Sequence, residues 1–155
     1  MQKKLWIAGA VLILDQVTKA LARTMTEAIT LLPGILDLRL CHNTGMAFSL
    51  LSGMPWMLGV LSVVLVIIGW RILRRYRLGP LSGTAAMLML GGALGNAIDR
   101  ILLGSVTDMV EVLFVQFAVF NVADIALTIG CTLLALSLFI RPQEWEKRPL
   151  KEADS

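Results

Sequence analysis

Asp124 follows Asn121 in FNVADIALTIGCTLLALSLFI (120–140), and no later side chain in that stretch carries a charge. Asp99 and Arg100 close GGALGNAIDR (91–100), Asp108 sits in SVTDMVEVLFVQF (105–117), and Asp15 and Lys19 interrupt the first apolar run. A charged side chain at the centre of a membrane helix costs from about 2.5 kcal/mol upward, so each of these groups asks for a reason. Two carboxyl groups brought close together cannot both ionise cheaply, so one pKa rises and the pair shares a proton. Such a pair activates water: the carboxylate takes its proton while the protonated partner polarises a carbonyl. Structural readings compete at every position. Asn121 or Asp124 can cap a helix, Asp108 can be a solvated loop acid, and Asp15–Lys19 and Asp99–Arg100 can be ion pairs that fix helix register.

The elements that must position these groups follow from composition. Of the 155 residues 57% are hydrophobic and only 16% are charged, where a soluble domain has about 45–50% and about 25%. Crossing a bilayer core takes about 20 apolar residues as helix. Spans are predicted over about 5–22, 55–72, 82–101 and 120–140. Ten of the fourteen Lys and Arg residues flank them on one side: Lys3, Lys4, Arg71, Arg74, Arg75, Arg77, Arg141, Lys147, Arg148 and Lys151. The excess of basic residues on the inner side then puts both termini in the cytoplasm and segments 23–54 and 102–119 outside. The net charge of +3 reflects topology and anionic lipid, not nucleic acid. The fold class is therefore a membrane all-α protein of four helices with a small β element, in a single domain ending in a frayed polar tail from about residue 142. The first span also imitates a cleavable secretory signal, but Asp15, Gln16 and Lys19 interrupt it, so it is expected to be retained.

Local patterning adds detail. Residues 35–43 (ILDLRLCHN) alternate polar and apolar after a Pro33–Gly34 turn, and 105–117 is rich in Val and Phe, so two outer strands are expected. Gly92, Asn96 and Asp99 share a stripe of the third span, Asn121, Asp124 and Thr128 share one of the fourth, and Gly91 and Gly95 let another helix approach closely. Antiparallel third and fourth spans bring Asp99, Asp108 and Asp124 to one depth. Cys41 and Cys131 read as small hydrophobes rather than a disulfide or metal pattern. His42 is the only histidine and no H-E-x-x-H is present, so neither a metal nor another cofactor is expected. The main rival is a transporter or channel with an acid relay, which would need a polar stripe through the full membrane thickness. Spans two and four are apolar in their inner halves.

Five motifs, LDQVTK (14–19), NTGMAFS (43–49), GGALGNAIDR (91–100), VTDM (106–109) and FNVAD (120–124), resemble in order and spacing those of the lipoprotein signal peptidases, or signal peptidase II. The resemblance covers nearly the whole chain except the polar tail. It implies an intramembrane aspartic endopeptidase of the bacterial inner membrane that cuts a prolipoprotein just before its diacylglyceryl-modified cysteine. It implies Asp108 and Asp124 as the catalytic pair, surrounded by a shell of Asp15, Lys19, Asn43, Gly92, Asn96, Asp99, Arg100, Asn121 and Ala123. The implied partners are diacylglyceryl-prolipoproteins, membrane lipid and peptide inhibitors of the globomycin type, with the enzyme a monomer. The outer strands resemble the family's sheet that cradles substrate at the membrane surface. Met109 and Ala118 depart from residues common in the family, at the expected rim of the site.

Overall fold

The structure, a computed structural model, describes residues 2–45 and 54–147. Residues 46–49 of the NTGMAFS motif and the end of the polar tail lie outside the described residues. Among those described, four helices are long and apolar enough to cross a membrane: α1 (Leu5–Ala22), α2 (Pro55–Leu73), α3 (Pro80–Leu103) and α4 (Val122–Ile140). They match the predicted spans to within about two residues at each end. Pro starts α2 and α3 at a position whose N–H needs no partner, and Gly104, with φ of 73°, ends α3 in the left-handed conformation that glycine takes without strain.

The central helix is α3, which packs against the other three. Its small residues make this possible. A side chain at Gly91 would meet the backbone oxygen of Ala8 on α1 at 2.8 Å, and one at Gly92 would meet that of Ala123 on α4 at 2.5 Å. The predicted close approach at Gly91 and Gly95 is therefore present, with α1 as the partner. The buried apolar residues are mostly small, such as Ala8, Ala85, Ala86 and Ala97, while large ones such as Leu65 and Phe139 point outward. Helices whose apolar side chains face out and whose small residues face in are built for a lipid solvent.

At one end of the bundle lies an antiparallel sheet in the order β1–β2–β4, formed by β1 (Ile29–Leu32), β2 (Leu36–Asn43) and β4 (Val106–Val112). Both expected strands form, but the second stops at Val112, where it pairs with Leu36 at the start of β2. Leu113 still donates to the Ile35 carbonyl at 3.0 Å, but beyond it the partner strand has turned away at Pro33–Gly34, so Phe114–Phe117 have β-propensity but no edge to join. The strict alternation read in 35–43 is also interrupted. A bulge between Leu38 and Cys41 sets Cys41 opposite Asp108 and Asn43 opposite Val106, re-aiming the end of β2 as bulges do.

The opposite end corrects the expectation of a frayed tail. β3 (Tyr76–Leu78) pairs with β5 (Trp145–Lys147), and the Trp145 ring meets Tyr76 edge-on at 5.7 Å. Glu144 is buried and accepts from the backbone N–H and hydroxyl of Ser82 at 2.8 and 2.9 Å. The polar composition of 142–147 therefore serves free donors at the start of α3, which composition alone cannot reveal.

Candidate active site

Two carboxyl groups, Asp108 on β4 and Asp124 in the first turn of α4, line one cavity of about 490 Å³ together with Asn43, Asn96 and Arg100. The chain brings them together by a short return: after β4, Phe120 bridges back to Val110, which sets Asn121 beside Asp108. Asn121 then does three things. Its side chain donates to Asp108 Oδ1 at 2.6 Å, its Oδ1 accepts from the Asp124 N–H at 2.9 Å, and its own N–H donates to Asp124 Oδ2 at 3.2 Å. The last two form a capping box, so the structural reading of Asn121 and Asp124 as a helix cap holds. Capping fixes the Asp124 rotamer and leaves Oδ1 for Asn96, which donates to it at 2.7 Å.

Asp108 is 2% exposed, and its second oxygen accepts from Asn43 at 3.1 Å. Burial pushes its carboxyl up to about 6; the bond from Asn43 pulls the other way, and the charge of Asp124 adds to the rise. Neither acid forms an ion pair among the described residues.

Lys19 and Arg23 are used one layer behind the cavity. Lys19, wholly buried, lies 2.9 Å from Asp15 and 3.5 Å from Asp99 and donates to Asn96 Oδ1 at 2.9 Å. The expected Asp15–Lys19 pair is thus present. An Asp99–Arg100 pair is not: Asp99 turns to α1, where Arg23 stands 3.8 Å away, and accepts from the Thr107 N–H at 2.9 Å. Adjacent residues on a helix point about 100° apart, so Arg100 faces the cavity while Asp99 faces α1. Asp15 also accepts from the Ala123 N–H at 2.9 Å, placing a carboxylate at the positive end of α4.

The expected shell therefore divides. Asn43, Asn96 and Arg100 line the cavity with the two acids, and Asn121, Asp15, Lys19 and Asp99 hold them from behind. Gly92 and Ala123 touch each other across the α3–α4 contact and do not line the cavity. Ala118 lines it, whereas Met109 is buried beneath rather than at the rim. Sequence reasoning missed Gln16 and Arg23 as contributors. Gln16 donates to Asp15 and Asp99, and Arg23 donates to the Thr107 hydroxyl at 2.9 Å. The spacing 15, 19, 23 repeats every four residues and was the available signal for Arg23.

Residues 7–140 match the family model described as signal peptidase (SPase) II. The chain belongs to the signal peptidase II family. Three proteins named lipoprotein signal peptidase are among its relatives. That of Thermosynechococcus vestitus is 42% identical over 140 residues, covering 85% of this chain and 88% of the relative. Those of Parasynechococcus marenigrum and Pseudomonas putida are each 39% identical, covering 87% of this chain and 87% and 85% of the relatives. Two solved structures, each described as a bacterial membrane enzyme, share the fold. One has a TM-score of 0.84 at 28% identity over 97% of this chain and 95% of its own; the other has 0.76 at 30% over 91% and 95%. The chain is thus a bacterial multi-pass membrane peptidase of lipoprotein processing, and residues from four of the five motifs singled out in its sequence line one carboxyl-lined cavity.

Proposed function

We propose that this signal peptidase II member cuts diacylglyceryl-modified prolipoproteins immediately before the lipidated cysteine, with Asp108 and Asp124 as the pair that activates water. The observation that carries this reading is that one residue, Asn121, bonds both carboxyl groups at the wall of a single cavity. A water held between the acids loses its proton to the ionised carboxylate and attacks the scissile carbonyl, whose oxygen takes a hydrogen bond from the protonated acid. The proton gained by the first acid then passes to the departing amine. Asn43, Asn96 and Asn121 donate to the carboxylates and hold their oxygens in fixed directions. The sheet end of the bundle faces outward in this reading, because the basic residues Arg71, Arg74, Arg75 and Arg141 cluster at the other end. A cleavage site anchored by acyl chains then meets the acids at the membrane's outer boundary.

The test uses purified protein in detergent with a diacylglyceryl-modified prolipoprotein peptide and its unmodified counterpart. Mass spectrometry is expected to find one product beginning at the modified cysteine, none from the unmodified peptide, and none from folded Asp108→Asn. Turnover by that variant at the wild-type rate, or cutting elsewhere, would overturn the reading.

A pH dependence follows. The mechanism needs one shared proton, so the rate falls once that proton is lost. With Asp108 raised to about 6, kcat/KM is expected to decline about tenfold per pH unit above that value. The bond from Asn43 favours the ionised form, so Asn43→Ala is expected to move the declining limb to higher pH. A limb that stays fixed or moves lower in that variant would contradict the assignment of Asp108.

A further inference from the structure

Thr107 is completely buried, and each of its polar groups is taken by a side chain from a different helix or helix cap. Its N–H donates to Asp99 Oδ2 of α3 at 2.9 Å, and its carbonyl accepts from Asn121 Nδ2, at the cap of α4, at 3.4 Å. Its hydroxyl accepts from Arg23 Nη1, at the end of α1, at 2.9 Å. The next residue in the chain is Asp108. Any residue at 107 can form the first two bonds, because they use the main chain; the third needs a hydroxyl. A buried hydroxyl costs free energy unless it is bonded. Valine is nearly the same size, suits a strand as well, and already stands at 106, 110 and 112 of β4. What threonine adds over valine is the bond to Arg23.

The strand geometry says what that bond does. β4 is an edge strand, with β2 along one side. Successive side chains of a strand leave opposite faces, so Thr107 and Asp108 project to either side of the ribbon. A tilt of the ribbon about its own axis swings the two in opposite directions, and ladder hydrogen bonds tolerate such a tilt, as the range of sheet twist shows. Asn43 and Asn121 bond the Asp108 carboxyl oxygens, which sets the rotamer but leaves the tilt to the backbone. The Thr107 hydroxyl stands off the axis and is held. Arg23 is anchored in turn: the same Nη1 lies 3.8 Å from Asp99 Oδ1, while the other oxygen of Asp99 takes the Thr107 N–H. Arg23, Thr107 and Asp99 thus close a ring that ties α1, β4 and α3 together.

We propose that Thr107 and Arg23 are positioning residues for the peptidase reaction: the ring they close with Asp99 fixes the tilt of β4, and with it the approach of the Asp108 carboxyl to Asp124. The inference rests on the peptidase reading above and adds two residues that do not line the cavity and act through Asp108.

The experiment compares variants with wild type on the diacylglyceryl-modified peptide in detergent. Thr107→Val keeps the size and both main-chain bonds but loses the hydroxyl. Its kcat is expected to fall about tenfold with KM changed by less than about twofold, part of the roughly 10²-fold that a misplacement of about 1 Å can cost. Thr107→Ser, which keeps the hydroxyl, is expected to recover most of that kcat. Arg23→Met breaks the same bond from its partly exposed end, and keeps the test usable if the valine variant does not fold; the same fall in kcat is expected. Combining it with Thr107→Val is expected to lower kcat by less than a further factor of about two, because both changes remove one bond. Wild-type kcat in either folded variant, a rise in KM in place of the fall in kcat, a serine variant as slow as the valine one, or penalties that multiply would overturn the positioning role and leave the peptidase reading intact. Failure of wild type to cut the peptide would instead overturn that reading.

Discussion

Asp124→Asn is expected to lower kcat by about 10³-fold or more, because acid–base catalysis by a positioned group contributes about 10²–10⁴-fold and the proposed mechanism makes this residue part of a unit that also binds the water. The replacement is close to isosteric, so the helix cap is largely kept. The asparagine amide presents one oxygen where the Asp124 carboxyl presents two, so either Asn96 or the Asn121 N–H loses its acceptor. That costs about 1–3 kcal/mol of stability, not the fold. The sharper expectation concerns the double variant. Two residues that share one proton fail together, so Asp108→Asn with Asp124→Asn is expected to be no slower than the worse single variant. Multiplying penalties would show that the acids act independently, and the shared-proton mechanism would then fall. Circular dichroism and a thermal scan of each variant in detergent separate lost chemistry from lost structure.

Much of this arrangement is legible in the sequence, for a physical reason. An acid inside an apolar run is costly, so Asp15, Asp99 and Asp124 stand out by contrast, and the four spans follow from gaps between charges. What contrast cannot convey is pairing. Asp99 and Arg100 are neighbours in sequence, and only helix geometry shows that they face different elements. The strand expected over 105–117 runs too far because propensity does not record where the partner strand turns. The described part of the tail, 142–147, is instead anchored, because Glu144 is held by Ser82 at the start of α3 and Trp145 by Ser137 in the last turns of α4. Asn121 reads as a cap or as part of the site; it caps α4 and also bonds Asp108, so the bonds that start α4 also aim its first acid.

The layer behind the cavity supplies the second large effect. Lys19→Met is expected to destabilise the protein by about 3–5 kcal/mol, the usual result of removing one member of a buried charge cluster. The lysine is the near cation of both Asp15 and Asp99, and all three side chains are sealed from solvent. Arg23 remains, but it lies 3.8 Å from Asp99 and is partly exposed, so it cannot compensate Asp15. Removing a charge together with its partner costs less than stranding it. Asp15→Asn combined with Lys19→Met is therefore expected to unfold at a higher temperature than Lys19→Met alone, while the asparagine oxygen still accepts from the Ala123 N–H. Stability is not the only readout. Lys19 fixes the Asn96 oxygen, and with it the direction of the Asn96 amide that donates to Asp124. In preparations that remain folded, kcat is thus expected to fall with KM little changed, in the single and double variants alike. A single variant that melts with wild type and retains its kcat would show that the buried lysine neither balances the two acids nor orients the third.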